Sequence, residues 1–158
     1  MTELPAYRAK IEPGWIDYNG HLRDAYYTLV ASYAIDDLMD HLGLDADYRA
    51  RTRCTLYSLE MHIHFLHEVK ESDDLEVLTS VLEFDRKRIH AGCRFICGRS
   101  PDAVATIEMM LLHVHQGDAP ASAPFPDEVV AKLALLKASA DSHAPFGPGS
   151  RKIEMKRR

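Results

Sequence analysis

The sequence predicts a single α+β domain in which a curved antiparallel sheet wraps one long helix. Three observations carry that prediction. One stretch after residue 20 repeats its apolar residues every three to four positions for about twenty residues; four later stretches alternate with period two; short polar connections join those four in succession. Consecutive strands with short connections are antiparallel, and their apolar face needs a partner, which the long helix supplies. With 158 residues, 46% of them hydrophobic and 27% charged, the chain can build one core and has no room for a second domain of ordinary size.

Residues 6–11 are a short run that stops at Glu12-Pro13-Gly14, a turn signal, and read as the first strand. Leu22, Ala25, Tyr26, Leu29, Val30, Tyr33, Leu38 and Leu42 then form an apolar stripe, with Arg23, Asp24, Ser32, Asp36 and Asp40 opposite. Asn19 is the expected N-cap of this helix and Gly43 its stop. From Thr55 onward Leu59, Met61, Ile63 and Phe65 alternate with Ser58, Glu60, His62 and His64, as in a strand that buries one face. Further strands are expected over 75–84, 88–97 and 103–115, and a short helix over 124–137 with Val129, Val130, Leu133 and Leu136 as its stripe. The domain is placed at 1–138, followed by a loosely held basic tail at 139–158.

Composition excludes several classes of function. A formal charge of −5 argues against a nucleic-acid protein, so any phosphate binding must be local. The three cysteines form no CxxC pattern, no basic segment and apolar run open the chain, and no window reaches the ~20 apolar residues of a membrane span; the expectation is a cytoplasmic protein without a membrane partner. No GxSxG, GxGxxG or GxxxxGK[ST] occurs, which removes nucleophile-elbow and nucleotide-loop chemistry. His62-x-His64 and His113-x-His115 have a spacing that could chelate zinc but bring no third ligand, so neither a metal nor another cofactor is expected.

The densest group of polar and aromatic residues runs from Trp15 through Ile16-Asp17-Tyr18-Asn19-Gly20-His21-Leu22-Arg23-Asp24-Ala25 to Tyr26-Tyr27, where a loop feeds the long helix. A helix N-terminus offers free N–H groups and a positive dipole end, which suit a developing oxyanion. Asp17 is placed to attack or to direct water, Asn19 to donate an amide hydrogen bond, and His21 to add a donor or carry a proton. The same Asp17, Asn19 and Gly20 also suit a plain turn and helix cap.

This stretch resembles the D-x-N-x-H-x-N-x-x-Y signature of hot-dog fold acyl-CoA thioesterases, the superfamily of 4-hydroxybenzoyl-CoA thioesterase. The resemblance spans residues 8 to about 135, since the hot-dog order is a strand, a long central helix and then wrapping antiparallel strands. More narrowly, the 15–21 stretch, Asp47-Tyr48-Arg49, the run Leu56 to Val69 and Leu111-Leu112-His113-Val114 look like thioesterases of carnitine breakdown, which hydrolyse betainyl-CoA. The resemblance implies a catalytic Asp17, motif partners Asn19 and His21, and Glu60 as a polar residue beside the site. Arg23 stands where the signature has Asn.

A trimethylammonium group has no N–H to donate and is held by aromatic faces worth ~0.5–2 kcal/mol each. The aromatic candidates are Trp15, Tyr18, Tyr26, Tyr27 and Tyr57, led by Trp15 and Tyr18, with Asp24 or Glu60 as the acid; Tyr26 also falls on the helix stripe, where a core role competes. For the phosphates of CoA the candidates are Arg86, Lys87 and Arg88 at a hairpin turn and Arg151 and Lys152 in the tail, against a solvated turn and a mobile tail. An open sheet edge, and an outer face carrying Leu78, Leu82, Ile96 and Leu112, predict a homodimer or homotetramer. The reaction expected is acyl-CoA thioester hydrolysis. An aromatic or medium-chain acyl group is the alternative substrate, and a non-catalytic acyl-CoA binding module the alternative class.

Overall fold

The structure, a computed structural model, describes residues 4–98, 100–142, 146, 147, 149 and 153. Its elements in chain order are β1 (Tyr7–Ala9), a 3₁₀ turn (Pro13–Trp15), α1 (Asp24–Leu42), α2 (Ala46–Thr52), β2 (Cys54–Phe65), β3 (Leu75–Phe84), β4 (Arg88–Cys97), β5 (Ser100–His115), β6 (Ala121–Ser122) and α3 (Asp127–Asp141). The sheet runs β1-β3-β4-β5-β2 with every neighbour antiparallel, and β6 pairs with β5. The sheet curls around α1, so the expected α+β arrangement of a curved antiparallel sheet around a long helix is the fold observed; the expected succession of hairpins holds for β3, β4 and β5, but β2 pairs with β5 and not with β3.

The inner faces of β3, β4 and β5 supply Val77, Val81, Ile89, Ala91, Phe95, Ile107 and Leu111, all buried against Val30, Ala31, Ala34, Leu38 and Leu42 of α1. Ala31 and Ala34 keep the middle of the helix slim, which lets it lie close to a concave sheet. The helix stops where expected: Gly43 adopts φ 84°, its N–H donates to Asp40 O at 3.1 Å, and Leu44 N–H donates to Met39 O at 2.8 Å. Lys132 of α3 then donates to the His41 and Leu42 carbonyls at 3.1 and 3.2 Å, closing the same helix end.

Several expectations need correction. The N-cap of α1 is Arg23, not Asn19, because the Asp17 carboxylate takes the Asn19 and His21 amides and holds residues 17–21 as a separate turn with Gly20 at φ 79°. Helix α2 was not expected; Asp45 caps it by accepting from Tyr48 N–H at 2.8 Å. In β2 the strict alternation breaks at a bulge between Ser58 and Glu60, which leaves Leu59 unpaired and 56% exposed. Before the bulge Cys54 and Leu56 face inward; after it Met61, Ile63 and Phe65 do. Because β2 ends the sheet, Met61 and Phe65 stay exposed in a single chain.

The outer face is also less apolar than expected: Leu78 is exposed, whereas Leu82, Ile96 and Leu112 are half-buried. Helix α3 continues to Asp141, past the 138/139 boundary. From the tail, Phe146 is half-buried with its ring over Gly92, where a Cβ would meet Phe146 Cε2 at 2.6 Å. Glycine is required there for that approach.

Candidate active site

Ile16 and Leu22 form an isolated antiparallel bridge, and the five residues between them make the turn that carries Asp17. Asp17 N–H donates to His21 O at 2.8 Å and Gly20 N–H to Asp17 O at 3.0 Å. Asp17 Oδ1 accepts from Asn19 N–H at 2.7 Å and from His21 N–H at 3.1 Å. The His21 amide above all, then the Asn19 amide, and the nearby His21 and Arg23 side chains hold the Asp17 carboxyl below its ordinary value, so it is ionised at neutral pH. Both amide bonds fall on Oδ1, which leaves Oδ2 for a water or a carbonyl carbon.

The turn is anchored from two sides. Arg23 N–H donates to Trp15 O at 2.9 Å, and Leu22 N–H donates to Val69 O at 2.7 Å. The second bond is the long-range one: it draws the segment after β2 over the start of α1. That segment is pinned in turn by Leu66 N–H and His67 N–H, which share Val104 O at 2.9 and 3.0 Å. Between the two walls lies a cavity of about 640 Å³ lined by Asp17, Tyr18, His21, Leu22, Arg23, Asp24 and Tyr27 on one side and Phe65, Leu66, His67 and Glu68 on the other.

Of the residues singled out from sequence, the cavity thus gathers Asp17, Tyr18, His21, Asp24 and Tyr27. Tyr18 sits at the turn tip, 93% exposed. Asn19 contributes its backbone amide to Asp17, and its exposed side chain is not part of the lining. Trp15 and Tyr26 stack on each other, centroids 4.9 Å apart and rings 12° from parallel, and pack against the core. They do not line the cavity. Tyr57 lies toward the other end of β2, where Gln116 Nε2 reaches its hydroxyl at 3.5 Å, and Glu60 pairs with Met110 on the outer face; the bulge turns Tyr57 outward too.

The basic turn is likewise remote. Asp85 accepts from the Arg88 side chain at 2.7 Å and from the Lys87 and Arg88 amides at 2.9 and 2.7 Å; the Arg88 hydrogen bond first, then these amides, hold its carboxyl at about 2. Lys87 Nζ donates to Ser122 Oγ at 3.3 Å, and Arg86 is exposed, its carbonyl accepting from Phe125 N–H. Arg151 and Lys152 lie outside the described residues.

Among the amides opening α1, Ala25 N–H donates to Asp24 Oδ1 at 2.8 Å and Tyr26 N–H to Arg23 O at 3.0 Å. The Asp24 N–H has no acceptor among the described residues and is the amide left for an oxyanion. Tyr27 is 3% exposed; burial, with lesser effects of Cys97 and Asp73, pushes its phenol up to about 12, so it stays protonated.

The histidine pairs resolve into different roles. His62 Nε2 and His64 Nε2 are 3.1 Å apart on the outer face, and His113 is buried between the Tyr48 hydroxyl and the Ala123 carbonyl, both at 2.9 Å. Among the described residues no group of three or more His, Cys, Asp or Glu could hold a metal ion.

Sequence reasoning missed Phe65, Leu66, His67 and Glu68 as a wall. The available signal was the polar His67-Glu68 pair directly after an apolar strand end, but only the Leu22–Val69 bond assigns it to Asp17.

Residues 11–133 match the model of the thioesterase-like superfamily. The chain is 48% identical over 147 residues to a betainyl-CoA thioesterase of Pseudomonas aeruginosa, covering 92% of each. It is 38% identical to an L-carnitine dehydrogenase/betainyl-CoA thioesterase of Agrobacterium fabrum, where 97% of this chain matches 31% of that longer protein. Among solved structures it is similar to a candidate thioesterase of Pseudomonas putida KT2440, with TM-score 0.83, 40% identity and coverage of 96% and 98%. A Staphylococcus aureus protein in complex with CoA shares the fold, with TM-score 0.85, 24% identity and coverage of 96% and 94%.

Proposed function

Because this chain belongs to the thioesterase-like superfamily, we propose that it hydrolyses betainyl-CoA to glycine betaine and coenzyme A. The observation that carries the substrate is the near full-length similarity to the P. aeruginosa enzyme of that name. What supports the chemistry is an ionised Asp17 in a cavity large enough for an acyl group.

Asp17 Oδ2 attacks the thioester carbonyl or directs a water onto it, and the resulting oxyanion meets the Asp24 amide at the positive end of α1. Collapse of the tetrahedral intermediate breaks the C–S bond. Where Asp17 itself attacks, water then cleaves the resulting mixed anhydride and frees the Asp17 carboxylate; by either route one water is consumed, and a carboxylate, the CoA thiol and one proton are formed. A carboxylate of lowered basicity is sufficient because a thiol of pKa about 8.5 leaves readily and the betainyl ammonium withdraws electrons from the carbonyl. His21 holds the Asp17 backbone and borders the cavity, where its ring can relay the proton.

A second copy of the chain belongs to this reading. Strand β2 is an open edge of twelve residues exposing Tyr57, Leu59 and Met61, and pairing two such edges covers them. Phe65 and Leu66 are common to that edge region and the cavity, so the partner would shut water out of the site. Cys54, Cys93 and Cys97 are free and buried, which suits a reducing, cytoplasmic setting; among the described residues no helix is long and apolar enough to cross a membrane.

The test is thiol release from betainyl-CoA, 4-hydroxybenzoyl-CoA, acetyl-CoA and octanoyl-CoA. Betainyl-CoA is expected to reach a kcat/KM of about 10⁴ M⁻¹s⁻¹ or more, with the others at least about a hundredfold lower, some 2.7 kcal/mol of discrimination. An aromatic acyl group is the second reading, favoured by the Tyr27–Phe65 ring pair, and preference for 4-hydroxybenzoyl-CoA would establish it. Release from no ester would leave an acyl-CoA binding module.

A further inference from the structure

Resting on the betainyl-CoA reading, we propose that Glu68, together with the ring of Phe65 backed by Tyr27, is the subsite that selects the quaternary ammonium of the acyl group. In a betainyl thioester one methylene separates the ammonium nitrogen from the carbonyl carbon, two bonds that span about 2.5 Å. Whatever recognises the cation therefore shares the cavity with the carboxylate that acts on the carbonyl. That excludes Trp15, Tyr26, Tyr57 and Glu60, none of which lines the Asp17 cavity.

A trimethylammonium group donates no hydrogen bond and is held by ring faces and by negative charge that is not already compensated. The ring is at hand: Phe65 meets Tyr27 edge to face, centroids 5.2 Å apart and planes at 79°, and Phe65 keeps 54% of its surface exposed. Tyr27 is buried behind it and stays an uncharged phenol, so Phe65 is backed by a neutral ring.

The charge is more selective. The cavity holds three carboxylates, Asp17, Asp24 and Glu68, against the single guanidinium of Arg23. Asp17 Oδ1 is engaged by two amides and Asp24 Oδ1 by the Ala25 amide, while Arg23 Nη2 points at the Ile16 carbonyl at 3.5 Å. Glu68 has no hydrogen bond or ion pair with any described residue. It is thus the exposed carboxylate of the cavity that no described residue engages, on the wall that also carries Phe65. The bond from Leu22 N–H to Val69 O, one residue on, sets its place relative to Asp17.

The experiment compares betainyl-CoA with its neutral isostere 3,3-dimethylbutanoyl-CoA, in which carbon replaces nitrogen, using the full chain, Glu68→Gln and Phe65→Leu. The wild type is expected to favour the betainyl ester, chiefly through KM. Glu68→Gln should cut the ratio of the two kcat/KM values by about tenfold, and Phe65→Leu by about threefold or more. The Glu68 effect should shrink in salt. A ratio that survives both substitutions overturns the subsite while the betainyl-CoA reading stands. A wild type that prefers octanoyl-CoA or 4-hydroxybenzoyl-CoA to betainyl-CoA overturns that reading and the subsite with it.

Discussion

Asp17→Asn separates the charge of the proposed catalytic carboxylate from its part in the turn. Asparagine Oδ1 can accept from the Asn19 and His21 amides where Asp17 Oδ1 now does, at 2.7 and 3.1 Å, so Tyr18 and His21 stay in place and the cavity keeps its shape. What disappears is the base or nucleophile at Oδ2, and loss of such a group lowers a rate by about 10²–10⁴. Thiol release from betainyl-CoA at saturating substrate measures it: kcat should fall by at least about a hundredfold while CoA binding, followed by calorimetry, is retained. A kcat close to wild type would falsify the role. The pH profile adds an independent check. Because the amides hold the Asp17 carboxyl below its ordinary value of 3.8, the active ionised form persists above that value and is lost only as pH falls through the lowered one. Asp17 therefore contributes no acid limb between about pH 5 and pH 8. A limb near pH 6 that Asn removes would refute the electrostatics argued here.

Three other perturbations test the scaffold. His113→Leu deprives the Tyr48 hydroxyl and the Ala123 carbonyl of a buried partner and should cost about 2–4 kcal/mol in urea unfolding. Burial lowers the His113 pKa, so the neutral form is favoured in the fold; its contribution is complete above about pH 6.5 and wanes as pH falls below that. A His113→Leu variant that loses stability with acid as steeply as wild type there would count against it. Leu38→Ala empties a fully buried site between α1 and the sheet and should cost about 3–5 kcal/mol, read from chemical denaturation. Gly92→Ala sets a methyl 2.6 Å from Phe146 Cε2 and should cost about 1–3 kcal/mol. The same substitution in a Phe146→Ala background should cost much less, and equal costs would mean that Phe146 does not pack there.

Much of the fold was legible because its signals are local. The stop of α1 at Gly43 and the turn at Asp85 each depend on residues within a few positions of one another, and both are found where the pattern puts them; the stripe is met only in part, since Val30, Leu38 and Leu42 are buried as expected while Ala25 and Tyr33 are exposed and Tyr27, Ala31, Ala34, Ile35 and Met39 complete the core face. Asp17 was legible for the same reason, since a carboxylate followed by Asn-Gly-His specifies its own turn. Local chemistry could also mislead: Asn19 suits a cap, but Asp17 takes its amide first, and α1 starts five residues later.

Sequence alone determined an α+β chain with one long helix, four period-two strands and a polar turn carrying Asp17, whereas the place of β2 beside β5 and not β3 was decided by the sheet as a whole. Tertiary structure decided which side chains meet that carboxylate. The bulge at Leu59 reversed the facing of Tyr57, because strand register is set by the partner β5 and not by the strand itself. Trp15 and Tyr26 were equally plausible as a cage or as core, and stacking on each other spends both rings on packing. Phe65 and Glu68 reach the site because an amide at residue 22 bonds a carbonyl at residue 69, and a contact of that separation leaves no periodic trace in the chain.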